Sequence, residues 1–488
     1  MCVLGKNTFV VNSPSRPLWI DTNRNVYPLT IRPPAAAPVL TATGSGSLTG
    51  VYLVTCTFKV KDPITKATLY ESDFGPTSAA SAALAAQLLV ANGVPLSADS
   101  CVNARGLYRT TAGGSTFYPW IDIDDNSSDS VTDGLADDSL SLVAAPTDLG
   151  VAPNYLEIIQ PWKNRLWGRT SVELDDLRWS SNGKFYAWPA DNSIPIPPKG
   201  KDQVGITAIV PRRDELVVSR LDSLHKITGT EEANFTRSGV AEGYGILSHE
   251  SVQVIRDQLI FLGNPPGIYT YGSGGLACVS DAKVKSWFST DTYFNRGQFV
   301  NAFSRYDPVG NTYQLFLAAT GGTTINRWIE WNIDDDTWWG PHLTSEFTPT
   351  CGSQLNDSND VLLPVIGSSN GFLWKDNAGS YVDGASTAVA MLVDTPFWSA
   401  NTPDIEKVWL EPTIISKIQG SGTLTITPKV GSLAASAGTA ISHTLTLGRE
   451  RLRRLGQGRF VQLNLSQATG VGCEIYGIEL PFFEVGRR

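Results

Sequence analysis

The sequence predicts an all-β protein: a β-propeller with an inserted immunoglobulin- or fibronectin-like β-sandwich and a C-terminal β-sandwich. Three observations support this prediction. The 488 residues are rich in glycine (45), proline (29), tryptophan (14) and tyrosine (15), which favour turns and short strands. The apolar runs are of strand length and are bounded by turn residues. A hairpin pattern such as "DQLIFLGNPPGIYTYG" (257–272) recurs along the chain.

The repeat predicts propeller blades within residues 147–386. Each unit has a polar lead-in, an apolar strand, a turn and a second strand with an aromatic or apolar residue. Runs such as "ELVV" and "QLIF" are apolar without alternation, as expected where neighbouring blades cover both faces of a sheet. A series of sandwiches with coincidentally similar hairpins is the alternative. The units begin at Asn164, Asp214, Asp257, Thr312 and Asp360, about 43 to 55 residues apart, which is typical of blades.

Residues 1–32 provide a sixth hairpin, "NTFVVN" followed by "RNVYPL". We expect these N-terminal strands to join the propeller. Residues 33–146 differ in character, with an alternating strand "TGVYLVTCTFKV" and a Gly-Gly hairpin, and predict the inserted sandwich. The alanine-rich run "SAASAALAAQLLVA" fits either a short helix or a strand. Residues 387–488 contain strands of period two, such as "TLTIT" and "VQLNL", and predict the C-terminal sandwich.

The composition indicates a protein without a metal centre or cofactor. Six cysteines include no C-x-x-C pair, and four histidines lie far apart, so we expect buried free thiols and neither a metal nor a cofactor. We expect no secretory signal in "MCVLGKNTFVV", and no apolar run reaches the roughly 18 residues that a membrane-spanning helix needs. The net charge of −9 argues against a generally nucleic-acid-binding surface.

Several polar clusters are candidate sites. Asp122, Asp124, Asn126 and Asp133 match ligand positions of a calcium loop, but Ser127 replaces its glycine, so a solvated loop is expected and calcium is the alternative. The pairs Asp175–Asp176, Glu231–Glu232 and Asp334–Asp336 could serve hydrolysis, and "RWSSNGKFYAW" (178–188) is a near match to the Asp-box turn of sialidase propellers. We expect solvated turns at these places and predict no catalytic residue.

The clearest charge cluster is "GRERLRRLGQGRF". Alternate residues of a strand share one face, so Arg449, Arg451 and Arg453 are expected to project together. The cluster predicts a surface that pairs with carboxylates of a neighbouring subunit or, alternatively, one that meets the phosphates of DNA in a channel. Its members are Arg449, Arg451, Arg453, Arg454 and Arg459, and Arg487 and Arg488 end the chain.

The order of these parts resembles the tail nozzle or hub proteins of short-tailed bacteriophages. The resemblance rests on the hairpins "NRLWGR…LRWSSNGKFYAW", "DQLIFLGNPPGIYTYGSGGL" and "GFLWKD", and on "RRLGQGRFVQLNLSQATGVGCEIYGIEL" near the end. The inserted sandwich departs from the family. The resemblance implies a structural, non-enzymatic virion subunit without catalytic residues, in a ring that is expected to be a hexamer.

Such a ring would extend the DNA channel below the portal and adaptor proteins and anchor fibres or spikes. The chain would assemble in the bacterial cytoplasm, reside in the virion tail, let viral DNA pass and insert into no membrane. The alternative is a carbohydrate-binding or glycan-cleaving propeller, an adhesin or depolymerase, in which the fourteen tryptophans would be stacking platforms.

Overall fold

The structure is a computed structural model, and the chain is all-β, as predicted. It divides into two compact units: unit 1 comprises Met1–Thr323 and Ile329–Gly340, and unit 2 comprises Thr324–Trp328 and Pro341–Arg488. The predicted domain limits stay predictions. The residues described are 1–141, 143–198, 204–344, 347–356, 362–375, 382–383, 387–388, 391–417, 422–467 and 473–485. Their helices are α1 (Lys285–Ser289) and short 3-10 segments at Asp137–Ser139, Glu232–Asn234, His249–Ser251 and Arg296–Asn301.

Unit 1 begins with a complete four-stranded antiparallel sheet, here called sheet 1. Its strands are β1 (Cys2–Leu4), β2 (Asn7–Val10), β3 (Leu18–Ile20) and β4 (Val26–Pro28), in that order across the sheet. Phe9 and Trp19 pack in one hydrophobic cluster with Leu156 and Leu166 of the sheet formed by residues 156–195, and with Trp188 in a connection of that sheet. The N-terminal strands therefore make a whole sheet of their own.

Residues 39–133 follow sheet 1 in the chain, precede the repeated hairpins, and form two sheets. One has the order β10-β9-β6-β7 and the other β11-β8-β5, and both contribute to one hydrophobic cluster. The alanine-rich run contains a strand, β8. Arg16, in the loop before β3, bonds to Asp99 of this region at 2.7 and 3.0 Å and so ties sheet 1 to it. The strands are β5 (Val39–Gly50), β6 (Val54–Lys61), β7 (Thr68–Glu71), β8 (Leu84–Asn92), β9 (Ala104–Thr110), β10 (Phe117–Ile123) and β11 (Ser130–Asp133).

Four consecutive antiparallel sheets, sheets 2 to 5, follow in chain order. Sheet 2 has β12 (Leu156–Trp162), β13 (Arg165–Thr170), β14 (Asp176–Trp179) and β15 (Ser193–Pro195). Sheet 3 has β16 (Ala208–Arg212), β17 (Glu215–Ser219), β18 (Ser223–Thr228) and β19 (Thr236–Glu242). Sheet 4 has β20 (Gly245–Ile246), β21 (Gln253–Ile255), β22 (Gln258–Asn264), β23 (Gly267–Gly272) and β24 (Gly275–Cys278). Sheet 5 has β25 (Phe303–Asp307), β26 (Thr312–Ala318), β27 (Ile325–Asn332) and β28 (Thr337–Leu343).

Each middle sheet buries both of its faces. On β17, Leu216 and Val218 pack in a cluster with Trp167 of sheet 2, whereas Val217 packs in a different cluster with Phe261 of sheet 4. Successive side chains of a strand point to opposite faces, so consecutive residues enter opposite interfaces. This explains why the strand is apolar without alternation.

The next sheet repeats the arrangement. On β22, Leu259 and Phe261 face the cluster shared with sheet 3, and Ile260 and Leu262 face the cluster shared with sheet 5. All four side chains are at most 1 % exposed. Fully burying such a side chain contributes about 1.5–3 kcal/mol, so each of these four residues stabilises the packing of sheet 4 on its two neighbours.

Ion pairs connect consecutive sheets at their edges. Arg212 at the end of β16 bonds to Glu215 of its own sheet at 2.6 Å and to Asp257 of sheet 4 at 3.0 Å, and its side chain is 11 % exposed. Arg213 also reaches Asp257 at 3.0 Å, but its side chain is 74 % exposed. Asp257 lies in the β21–β22 turn with Arg256, and both have positive φ (66° and 49°), the conformation of a tight two-residue hairpin.

Unit 2 alternates where unit 1 does not. On β41, Val461, Leu463 and Leu465 are buried and pack with Trp409 and Ile414, while the residues between them are only half-buried. The period of two predicted for this region is confirmed. The sheet orders are β29-β30-β31, β32-β33, β34-β41-β37-β38, β40-β35-β43 and β39-β36-β42. The strands are β29 (Pro349–Asn356), β30 (Leu362–Ser368), β31 (Leu373–Lys375), β32 (Val382–Asp383), β33 (Thr387–Ala388), β34 (Met391–Asp394), β35 (Glu406–Trp409), β36 (Thr413–Ser416), β37 (Thr423–Gly431), β38 (Ile441–Thr444), β39 (Arg449–Arg451), β40 (Gly456–Gly458), β41 (Phe460–Gln467), β42 (Ile475–Glu479) and β43 (Phe482–Val485).

Candidate interaction surface and polar cleft

The arginine cluster lies in unit 2, and the structure brings two of its members together. Arg449 and Arg451 stand on one face of β39, with side chains 65 % and 69 % exposed. Both line a shallow cleft of about 720 Å³ together with Glu411, Thr413, Glu479 and Pro481. We call this surface the arginine edge.

The remaining arginines lie outside this cleft. Arg453 follows the end of β39 and donates instead to the carbonyl oxygen of Thr439 at 2.8 Å. The expectation that Arg453 shares a face with the other two is therefore wrong, because the strand ends at Arg451. Arg454 and Arg459 are exposed and make no ion pair within the described residues, and Arg487 and Arg488 lie outside those residues.

The arginine edge is already paired with carboxylates of its own unit. Arg449 bonds to Glu479 at 3.1 Å, and Arg451 bonds to Glu411 at 2.8 Å. Such exposed pairs contribute about 0–1 kcal/mol each because water and salt screen them. The pairs can therefore exchange for carboxylates or phosphates of a partner at low cost.

A buried hydrogen-bond chain fixes β39 from behind. Between the two arginines, Glu450 faces inward and its Oε2 lies 2.7 Å from His443 Nδ1, while His443 Nε2 lies 3.0 Å from Ser416 Oγ. This is the atom order of a serine-hydrolase triad. His443 is 0 % exposed and Ser416 is 5 % exposed, so the hydroxyl has no space beside it for an acyl group. These hydrogen bonds hold the strand β39, on which Arg449 and Arg451 lie.

Two carboxylates of the suggested calcium loop, Asp122 and Asp124, are engaged by lysines, and the side chain of Asp133 lies outside the described part of the chain. Lys61 Nζ lies 2.7 Å from Asp122 and 2.8 Å from Asp124, and Lys59 Nζ lies 2.8 Å from Asp122. Burial alone would raise the pKa of Asp122, but the two lysine hydrogen bonds outweigh it and hold that pKa below its ordinary value. Asn126 bonds to the backbone of the loop at Ser97. Among the described residues no group of three or more His, Cys, Asp or Glu could hold a metal ion.

A second cleft, of about 380 Å³, lies in unit 1 between sheets 2 and 3. It brings together two features that lie far apart in the sequence, the Glu231–Glu232 pair and the turn after Ser180. No sequence pattern marks its central cation, Arg165, because that residue is an ordinary member of a repeat strand. We call it the polar cleft; its polar lining is Asp148, Arg165, Ser181, Asn182, Glu231 and Glu232.

Comparisons with known proteins return structures only. No family model matches the chain, and no curated protein matches it. An exo-β-1,3-galactanase from Phanerochaete chrysosporium matches at 9 % identity and a TM-score of 0.25, covering 66 % of this chain and 95 % of that one. A Trypanosoma rangeli sialidase matches at 10 % identity and a TM-score of 0.26, covering 99 % and 93 %. PorZ of Porphyromonas gingivalis matches at 11 % identity and a TM-score of 0.30, covering 80 % and 50 %.

These matches correct one expectation. The sequence led us to expect a protein that is not an enzyme. That expectation is wrong, because the similar structures include glycoside hydrolases, the galactanase and the sialidase, and so the fold does not exclude an enzyme. Their TM-scores lie below 0.5, and they assign no activity to this chain. No helix among the described residues is long and apolar enough to cross a membrane.

Proposed function

We propose that the chain is a β-propeller protein with an inserted and a C-terminal β-sandwich, and that it serves as a subunit of the nozzle or hub ring in the tail of a short-tailed bacteriophage. The observation that carries the proposal is the burial of both faces of sheets 2, 3 and 4 against their chain neighbours. Sheets packed face to face in succession are the arrangement of propeller blades.

The arginine edge supports the assembly part of the proposal. The chain carries a net charge of −9, so a neighbouring copy offers carboxylates to an exposed arginine pair. A head-to-tail contact of this kind generates a ring when its rotation closes. In this assignment the subunits form a hexamer below the portal and adaptor, carry fibres or a spike on the rim, and let DNA pass through the shared lumen during ejection.

Charge reversal at the arginine edge tests the assembly directly. The double variant Arg449→Glu/Arg451→Glu should weaken ring formation with the adaptor at least tenfold, since like charges across an interface cost several kcal/mol. Native mass spectrometry of mixtures of the chain and the adaptor measures the fraction of subunits in rings. Arg237→Glu, an exposed strand arginine of unit 1, is the matched control and should leave assembly unchanged. Equal assembly by the double variant and wild type would contradict this role for the edge.

A carbohydrate-binding or glycan-cleaving role is the second candidate, and the polar cleft is the observation that favours it. The cleft combines carboxylates, an amide and an arginine, which are groups that bind sugar hydroxyls. A glycan array and polysaccharide-cleavage assays on the full chain test this candidate. If the chain shows neither binding nor cleavage across a broad panel of glycans, this candidate is removed.

A further inference from the structure

We infer that the polar cleft is a binding site for a neutral oligosaccharide. The inference names the ligand class for the carbohydrate candidate and rests on it. The cleft volume of about 380 Å³ falls in the range of small-molecule sites, about 300–1,000 Å³. It therefore has room for one or two sugar rings.

Arg165 supplies the strongest reason to expect a ligand. The residue is 4 % exposed, yet its Nε is buried and makes no hydrogen bond. Glu232 Oε1 lies 3.6 Å from this nitrogen, beyond hydrogen-bonding distance. A buried donor without an acceptor costs about 1–3 kcal/mol. The Glu232 side chain is 43 % exposed and can shift outward, which lets a ligand hydroxyl bridge the two groups by accepting from Arg165 and donating to Glu232.

The guanidinium is held in place before any ligand arrives. Its Nη1 donates to the carbonyl oxygen of Lys163 at 3.2 Å, and the group lies over the ring of Phe235, 5.3 Å from the centroid. Phe235 in turn packs against Trp167, with 5.0 Å between ring centroids. A donor fixed in this way loses little conformational entropy on binding, which favours affinity.

The charges of the cleft select against ionic ligands. Lys184 neutralises Asp148 with contacts of 2.6 and 2.7 Å. Arg165 then faces the carboxylates of Glu231 and Glu232, so the cleft has one excess negative charge and disfavours uronic or sialic acids. Hydroxyl groups both donate and accept, and so they suit the mixture of carboxylate, guanidinium and amide.

Asn182 completes the set on the opposite wall. Its Oδ1 accepts a hydrogen bond from Asn164 at 3.1 Å, which fixes the amide plane, and its own NH₂ group makes no hydrogen bond within the described residues. The side chain is exposed. It can therefore be removed without disturbing the core, which makes it the best position for a test.

The test measures binding of two oligosaccharide classes to the full chain by isothermal titration calorimetry. The probes are neutral gluco- and galacto-oligosaccharides and, as the charged counterpart, oligogalacturonates. Asn182→Ala and Glu231→Gln should each weaken neutral binding about tenfold, the effect of losing one hydrogen bond to a polar or charged group. Glu406→Gln, an exposed carboxylate on β35 in unit 2 that belongs to neither cleft, is the control and should bind as wild type does. Glu231→Gln should also improve binding of the oligogalacturonate.

The outcomes separate the inference from the candidate function. Neutral binding that both cleft variants leave unchanged would overturn the site assignment while the carbohydrate candidate stands. Tighter binding of oligogalacturonate than of neutral probes by the wild type would overturn the ligand class. No binding of any probe, with correct folding shown by circular dichroism, would overturn the inference and remove support for the candidate.

Discussion

Adjacent valines on one strand give the sharpest test of two-sided burial. Val217 and Val218 on β17 are 1 % and 0 % exposed and enter opposite interfaces, one with sheet 4 and one with sheet 2. In a sheet with one wet face, one of two neighbouring residues would be cheap to truncate. In this fold both should be costly.

The magnitude follows from the groups removed. Each valine-to-alanine change deletes two buried carbon groups at about 0.8 kcal/mol each and leaves a small cavity. We therefore expect Val217→Ala and Val218→Ala each to lower the free energy of opening of this region by about 2–3 kcal/mol. A chain of this size does not unfold in one step, so a local measurement is needed.

Hydrogen exchange followed by mass spectrometry on peptides covering β16 to β18 supplies that measurement, since it reports opening free energies region by region. The matched control is on β41, where Val461→Ala should cost a similar amount and Ser466→Ala, at a half-buried position of the same strand, less than about 0.5 kcal/mol. A cost below about 0.5 kcal/mol for either Val217 or Val218 would refute burial of both faces.

Three further predictions follow from the contacts. Arg212→Ala should destabilise sheets 3 and 4 by about 1–3 kcal/mol because Glu215 and Asp257 lose the largely buried cation that they share and keep only the more exposed Lys226 and Arg213, whereas Arg213→Ala, mostly exposed, should cost less than about 0.5 kcal/mol by the same exchange measurement. The hydrogen bond from Arg16 lowers the pKa of Asp99, so the pair stabilises the fold above about pH 4 and loses this contribution as the pH falls through the lowered pKa; Asp99→Asn should flatten that acid limb in thermal melts. Ser416→Ala should lower the urea midpoint of unit 2 by an amount equivalent to about 1–3 kcal/mol, because it leaves a buried imidazole nitrogen without its partner.

Sequence patterns predicted those parts of the fold that depend on local periodicity. The unbroken apolar run at Leu216–Val218 indicated burial on both faces, and the alternation at Val461–Leu465 indicated one covered face; the structure has both. The pattern of residues 1–32 predicts strands, but it does not predict that these strands form a whole sheet of their own. Such a sheet depends on which strands pair, and no pattern within one strand contains that information.

The candidate sites were predictable only in part. The shared face of Arg449 and Arg451 followed from strand periodicity, but the end of the strand before Arg453 did not, because strand ends depend on tertiary pairing. Arg165 could not be recognised, since its role comes from Glu232, some 67 positions later in the chain, being brought within 3.6 Å. Contacts of this range are set by how the sheets stack.

Cryo-electron microscopy of phage particles in which this chain carries a small tag tests the central claim most directly. The account predicts tagged density only at the tail vertex, in a closed ring below the adaptor. Successive antiparallel sheets of four or five strands should be resolved as blades, with Arg449 and Arg451 at the contact between copies. Tagged density in the capsid shell, or particles that lack the chain altogether, would contradict the account.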